Sequence, residues 1–165
     1  MPPPLKAEAR GDREVVVTRE FDAPRQLVWD AHTKPELLKR WMHGYNGWSL
    51  PVCEMDVRVG GKYRWRWRND ENGREFGFFG EFREVNAPTK VSYTQYFDSG
   101  DLKLENEYPS EPTIITATYE EADGRTQLTT VMLYASEEGR DGAVATGMTD
   151  GMEFSYKRLD TVLAK

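Results

Sequence analysis

The run Lys62–Arg68 reads Lys-Tyr-Arg-Trp-Arg-Trp-Arg, cations and large rings alternating one for one. Successive side chains of an extended strand leave from opposite faces, so Tyr63, Trp65 and Trp67 share one face while Lys62, Arg64, Arg66 and Arg68 share the other. Such a strand belongs in a sheet with one covered side and one side in water, the rings inward and the cations outward. Gly60 and Gly61 stand just before it and permit the tight turn or bulge that re-aims the chain.

Alternation continues on both sides of this run. Strands are expected at Val52–Val59, Lys62–Arg68, Glu75–Val85, Lys90–Phe97, Thr113–Glu120 and Thr126–Tyr134, with turn signals at 60–61, 69–73, 86–89 and 121–125. Consecutive strands joined by short turns predict an antiparallel meander. Upstream, Glu-Val-Val-Val-Thr-Arg-Glu-Phe from Glu14 reads as a first strand. Two short helices follow it. The first has Pro24 in its opening turn and Leu27, Val28 and Ala31 on one face. The second has Thr33 three residues ahead of Glu36, the spacing of a reciprocal N-terminal cap, with Leu37, Leu38 and Trp41 as its buried side. A long C-terminal helix is expected from the cap Ser136, its buried stripe running through Val144, Met148, Met152, Ser155, Leu159 and Val162. Asp150, Glu153, Lys157 and Asp160 fall on the opposite side, Glu153 and Lys157 in the favourable acid-before-base order. Gly147 and Gly151 flank the stripe and mark either close backbone approach or room for something else.

The fold class is therefore α+β: a curved antiparallel sheet wrapped around a long C-terminal helix, with two short helices after the first strand. A chain of 165 residues suits one domain with a core that needs no disulfide or metal staple. Residues 13–165 are expected to form that domain, and residues 1–12, with three prolines, a mobile tail. A net charge of -6 gives a phosphate backbone no reason to approach, so nucleic acid is not expected as a partner. The solitary Cys53 and two histidines make neither a disulfide nor a metal cluster, and with no signal peptide or apolar span visible the expected setting is the cytoplasm.

The stretches 21–42 (Phe-Asp-Ala-Pro-Arg through Arg-Trp-Met), 56–66 (Asp-Val-Arg-Val-Gly-Gly-Lys-Tyr-Arg-Trp-Arg), 80–97, 123–130 and 147–164 occur in an order that resembles the homologues of the heat-shock-protein-ninety ATPase activator, within the START-like (SRPBCC) superfamily. The resemblance runs from Glu14 to Leu163. It implies a helix-grip fold, often with a hydrophobic cavity between sheet and last helix. The family's second aromatic and proline after the tryptophan are replaced here by Met-His-Gly-Tyr-Asn-Gly after Trp41, which implies a different cavity mouth. A full-length activator carries a further N-terminal domain not recognised in this sequence, so a chaperone partner is the least favoured expectation.

Trp41, Trp48, Tyr63, Trp65, Trp67, Phe78, Tyr93, Met132, Met148 and Met152 are the candidate ligand-binding residues. Rings and methionines of this kind serve either as plain core or as the lining of a cavity, since Tyr and Trp carry polar handles and Met adapts to irregular shapes. Trp41, His43, Tyr45 and Trp48 sit in or beside a glycine-containing loop that reads either as a cap on the core or as a mobile entrance. His32 is expected near solvent at a helix end, without special role. His43 is the weak catalytic candidate, and a convergent set with Tyr93 or Glu54 would be required for acid-base work. Lys62, Arg64, Arg66 and Arg68 read as a solvated strand face paired across to Glu81, and Glu105 or Glu107 as a polar anchor if their segment turns inward. No cofactor and no metal are expected. The first functional expectation is a module binding a small hydrophobic molecule, lipids included; the alternatives are a cyclase- or hydrolase-like enzyme using the same cavity, or a chaperone-related interaction module. A homodimer through an exposed strand edge is compatible with all of them.

Overall fold

The computed structural model describes residues 2–98 and 111–164; the candidate anchors Glu105 and Glu107 lie outside them. In chain order the elements are β1 (Lys6–Arg10), β2 (Glu14–Phe21), α1 (Arg25–Thr33), α2 (Pro35–Leu38), β3 (Trp48–Met55), β4 (Lys62–Asn69), β5 (Glu75–Asn86), β6 (Lys90–Asp98), β7 (Thr113–Ala122), β8 (Arg125–Leu133), α3 (Glu137–Ala145) and α4 (Met148–Leu163). The strands make one curled sheet in the order β1-β2-β8-β7-β6-β5-β4-β3. Every neighbouring pair is antiparallel. The meander of β3 to β8 follows the turn signals, and β2 returns to pair with β8 because α1 and α2 carry the chain across the sheet's open end.

Several expectations are corrected. Within the supposed tail, Lys6–Arg10 pairs with Glu14–Thr18 as β1; all five residues are exposed, so this strand is made by its ladder, and only Ala7 and Ala9 alternate with its charges. The strand expected at Val52–Val59 begins at Trp48 and stops at Met55, with a register shift between Ser49 and Val52 beside Pro51. Beyond it Asp56–Gly61 turns sharply. Gly60 takes φ 84°, and the Gly61 N–H donates to the Arg58 carbonyl at 2.8 Å. A Cβ on Gly61 would collide with the Asp56 carbonyl, so neither glycine is replaceable without strain.

In α1 the buried residues are Val28, Trp29 and Ala31, whereas Leu27 is exposed; Trp29 takes its place by packing edge-on against Tyr119 at 5.2 Å. The cap expected from Thr33 does not form. Thr33 closes α1, its hydroxyl donating to the Trp29 carbonyl at 2.8 Å, and Lys34 becomes the N-cap of a four-residue α2. The single long C-terminal helix is instead two. Ser136 caps α3 as expected, accepting the Gly139 N–H at 3.0 Å. Gly147, at φ 78°, then breaks the helix and Val144 points outward, leaving α4 with Ser155, Tyr156 and Leu159 as its buried face.

The outward cations of β4 are also not uniformly in water. Lys62 and Arg68 are exposed, but Arg66 meets Asp98 at 2.7 Å and Glu75 at 3.3 Å, and Arg64 approaches Asp98 at 3.7 Å. Lys62 does stand opposite Glu81 in the ladder.

What fastens α4 to the sheet is Arg19. Its side chain shares the inward parity of Val15, Val17 and Phe21 and is buried with them. The Nε donates to Glu153 at 3.0 Å, one terminal nitrogen to Asp160 at 3.0 Å and to the Glu20 carbonyl at 2.8 Å, and the other to Glu153 at 3.2 Å and Asp160 at 2.8 Å. All the guanidinium donors are thus engaged. The plane also lies over the Phe21 ring at 5.0 Å. Glu153 and Asp160, expected on the solvent side, are the inward partners of this cation. Replacing Arg19 by Met leaves two carboxylates under the sheet without a countercharge, and urea unfolding should show a loss of about 3 kcal/mol or more.

Candidate functional site

Curvature of the sheet turns the rings of β4, β5 and β6 toward α4. Trp65 stands opposite Phe78 and Trp67 opposite Phe76 across β4 and β5, and Phe82 opposite Tyr93 across β5 and β6. Tyr63 packs at 4.6 Å from Trp65 and edge-on to Tyr93 at 5.2 Å. Its hydroxyl crosses β5 at Gly80 and donates to the Thr94 carbonyl at 2.6 Å. That carbonyl occupies the space a Gly80 Cβ would need, while the Thr94 hydroxyl accepts the Glu81 N–H at 3.0 Å, so the ladder opens locally to receive the Tyr63 phenol.

Two apolar clusters meet here. Trp41, Tyr63, Trp65, Phe82, Tyr156 and Leu159 belong to one, with Trp67, Phe78, Tyr93 and Met152 packed against it. Met132 belongs to the other, with Tyr93, Met148 and Met152 packed against it. Tyr93 and Met152 join the two. Trp48 stands at the margin, half-buried and edge-on to Phe76 at 5.4 Å. Trp41 is buried with its Nε1 bonded to the Ala31 carbonyl at 3.0 Å, and Trp67 Nε1 donates to the Met42 carbonyl at 2.7 Å. Of these inward residues, Trp67, Phe78, Tyr93, Met148 and Met152 are only half-buried. Large apolar groups on a concave face that are left partly uncovered differ from a closed core.

The loop between α2 and β3 is fastened to α4: the Gly44 N–H donates to Ser155 Oγ at 2.9 Å and Arg158 donates to the Trp41 carbonyl at 3.1 Å. Tyr45 is exposed and packs on Phe154 at 5.2 Å. His43 is half-buried, and burial together with Arg158 pushes its pKa down. Glu54 leaves β3 on the side opposite Cys53 and is exposed, so it does not converge with His43 and Tyr93. Cys53 itself faces α2, and burial pushes its thiol up to about 11, away from thiolate chemistry.

His32, expected near solvent, lies inside. Its Nδ1 donates to the Val28 carbonyl at 2.8 Å, which leaves the neutral ring with a bare Nε2, and Nε2 is buried without a partner. The ring is edge-on to Trp41 at 4.8 Å and to Tyr119 at 5.6 Å, and tilted against Tyr156 at 6.3 Å. Burial pushes its pKa down to about 4. Trp65 Nε1 is likewise buried and unpartnered. Burial and then neighbouring phenols push the Tyr93 and Tyr119 hydroxyls upward, and burial brings Tyr156 to about 12. Tyr119 and Tyr156 lie in the same buried cluster, with Tyr93 packed against it. His32, Tyr119 and Tyr156 were absent from the sequence-derived site, yet Val28, Ala31 and His32 share one helical face, and Tyr119 shares the inward parity of Ile115 and Ala117.

A separate cleft of about 230 Å³ lies at the ends of β7 and β8, among Arg13, Arg83, Glu111, Ile114, Leu133 and Tyr134. It includes none of the ten expected ligand-binding residues and carries charge of both signs. Among the described residues no helix is long and apolar enough to cross a membrane.

A curled antiparallel sheet closed over a C-terminal helix, with rings and methionines between them, defines a protein of the helix-grip class. The chain belongs to the family described as activator of Hsp90 ATPase homolog 1-like protein, whose model matches residues 22–164. A crystal structure of a protein from Rhodobacter sphaeroides is 26% identical, covering 98% of this chain and 99% of that one with a TM-score of 0.87. A protein from Mycobacterium smegmatis shares the fold at 23% identity and TM-score 0.84, over 98% and 97% of the two chains. So does an AHSA1-like protein from Aeromonas hydrophila, at 17% identity and TM-score 0.69, over 89% and 93%. A search of curated proteins gave no match.

His32 makes stability depend on pH. Its pKa is near 6.5 in an unfolded chain and about 4 in the folded one, so as pH falls the unfolded chain takes up the proton first. Its contribution is complete above pH 6.5 and drains away toward pH 4, amounting to about 3 kcal/mol at roughly 1.4 kcal/mol per pH unit. Urea unfolding at stepped pH should show this decline, and His32→Phe should flatten it over that window.

Proposed function

We propose that this protein binds a small, largely hydrophobic molecule between the inner face of the sheet and α4. The observation that carries the reading is the partial exposure of Trp67, Phe78, Tyr93, Met148 and Met152, all directed into the concave side. Tyr93 is deep enough for burial to dominate its acidity and still keeps accessible surface, as a residue lining a hollow would. Ligand sites are concave, mostly apolar and furnished with a few polar groups, and methionine at the lip accommodates irregular shapes. Family membership supports the same reading.

Met152 packs against both clusters, so enlarging it should fill the space. The fluorescence of the apolar dye N-phenyl-1-naphthylamine should rise on mixing with the protein, and Met152→Trp should abolish the rise while leaving the far-ultraviolet circular dichroism unchanged. Native mass spectrometry of freshly purified protein should show a retained small molecule. A dye that ignores the wild-type protein at every concentration, together with a bare mass, would count against the reading.

A further inference from the structure

The ring-lined interior is not uniformly apolar. His32 Nε2, an acceptor, and Trp65 Nε1–H, a donor, are both buried without partners. Both border one set of phenols: His32 is edge-on to Tyr119 at 5.6 Å and tilted against Tyr156 at 6.3 Å, Trp65 is edge-on to Tyr93 at 6.1 Å, and Trp65, Tyr119 and Tyr156 share one buried cluster with Tyr93 packed against it. An unpaired buried polar atom is expensive, about 1–3 kcal/mol each, and packing alone would be served as well by Phe or Leu. Two such atoms beside a set of phenols are what a polar substituent on a ligand would satisfy.

The same interior offers nothing to a charge. Arg19, the cation that reaches Tyr156, has its donors committed to Glu153, Asp160 and the Glu20 carbonyl. The burial that holds the phenols neutral would act in the same direction on a ligand carboxylate. His32 stays unprotonated above about pH 4 and so remains an acceptor.

Building on the ligand-binding reading above, we propose that His32, Trp65, Tyr93, Tyr119 and Tyr156 form the polar end of the site and select an uncharged molecule bearing an O–H or N–H donor on an apolar body. The ligand's donor goes to His32 Nε2, and its heteroatom accepts from a tyrosine hydroxyl or from Trp65 Nε1–H. The rings of Trp41, Tyr119 and Tyr156 pack around the His32 ring, so the ligand reaches Nε2 by displacing side chains.

Three probes of one shape test this at pH 7.5: 2-naphthol, 2-methoxynaphthalene and 2-naphthoate, titrated into the full chain by calorimetry. 2-Naphthol should bind about tenfold more tightly than the methyl ether, the value of one net hydrogen bond, and the carboxylate should bind most weakly. His32→Phe should bring the ratio of naphthol to ether affinity to about one. In the wild-type protein, the ¹⁵N resonance of His32 Nε2 should move on adding 2-naphthol and stay in place on adding the ether, a measurement that does not depend on the variant folding. Equal binding of naphthol and ether, carboxylate binding as tight as naphthol, or an unmoved Nε2 resonance would overturn the polar-end assignment and leave the ligand-binding reading standing. If none of the three binds, the polar-end assignment falls, and the ligand-binding reading falls with it when the dye is ignored and the mass is bare as well.

Discussion

A guanidinium beneath a helix stays charged only when its countercharges come with it, and Arg19 brings two. Glu153 and Asp160 lie seven residues apart on α4, two turns of one helical face, and both reach the same side chain of β2. Burying the three groups costs desolvation that the attraction between them offsets only when the hydrogen bonds are complete, as they are here. The pairing therefore specifies position more than it adds stability. It fixes which face of α4 looks at the sheet, and with that which residues stand over the rings of β4, β5 and β6.

From that placement the interior follows. Ser155, Tyr156 and Leu159 close against the core, while Met148 and Met152, one to two turns earlier, remain half-covered above Tyr93. The sheet contributes its own opening: the phenol of Tyr63 needs the missing Cβ of Gly80 and the displaced Thr94 carbonyl, so the strand pairing yields there to a side chain. Aromatic side chains give this interior bulk with few rotatable bonds.

Much of the sheet was legible because a period of two leaves a clear trace in the sequence, as in β4, where three rings and four cations sort themselves by parity. The same parity pointed inward at Arg19, between Val17 and Phe21, but a charge on an apolar face is readable as buried only once its partners are known, and those lie more than a hundred residues away. His32 was hidden for a related reason: its spacing from Val28 put it on the covered face of α1, while its chemistry suggested water. β1 left only a faint trace, since two alanines between three charges carry little apolar signal on a strand exposed at every residue. Among the candidate site residues, the sequence placed the rings and methionines on the concave side; it could not tell the hydrogen-bonded indoles of Trp41 and Trp67 from the unpartnered one of Trp65, because that depends on which carbonyl happens to lie within reach.

The joint at Gly147 separates two helices that are held in different ways. α3 is held separately, its Arg140 donating to the Glu14 carbonyl at 3.1 Å and the Gly11 carbonyl at 3.3 Å, and α4 is held by Arg19. Between two independently moored helices, Thr146 ends α3 by donating to the Ala143 carbonyl at 3.1 Å and Gly147 starts α4 by accepting from the Asp150 N–H at 3.0 Å, so the joint is made of local bonds only. Because α3 and α4 are moored by different residues, the angle between them is set at this joint and the register of α4 against the sheet is set by Arg19.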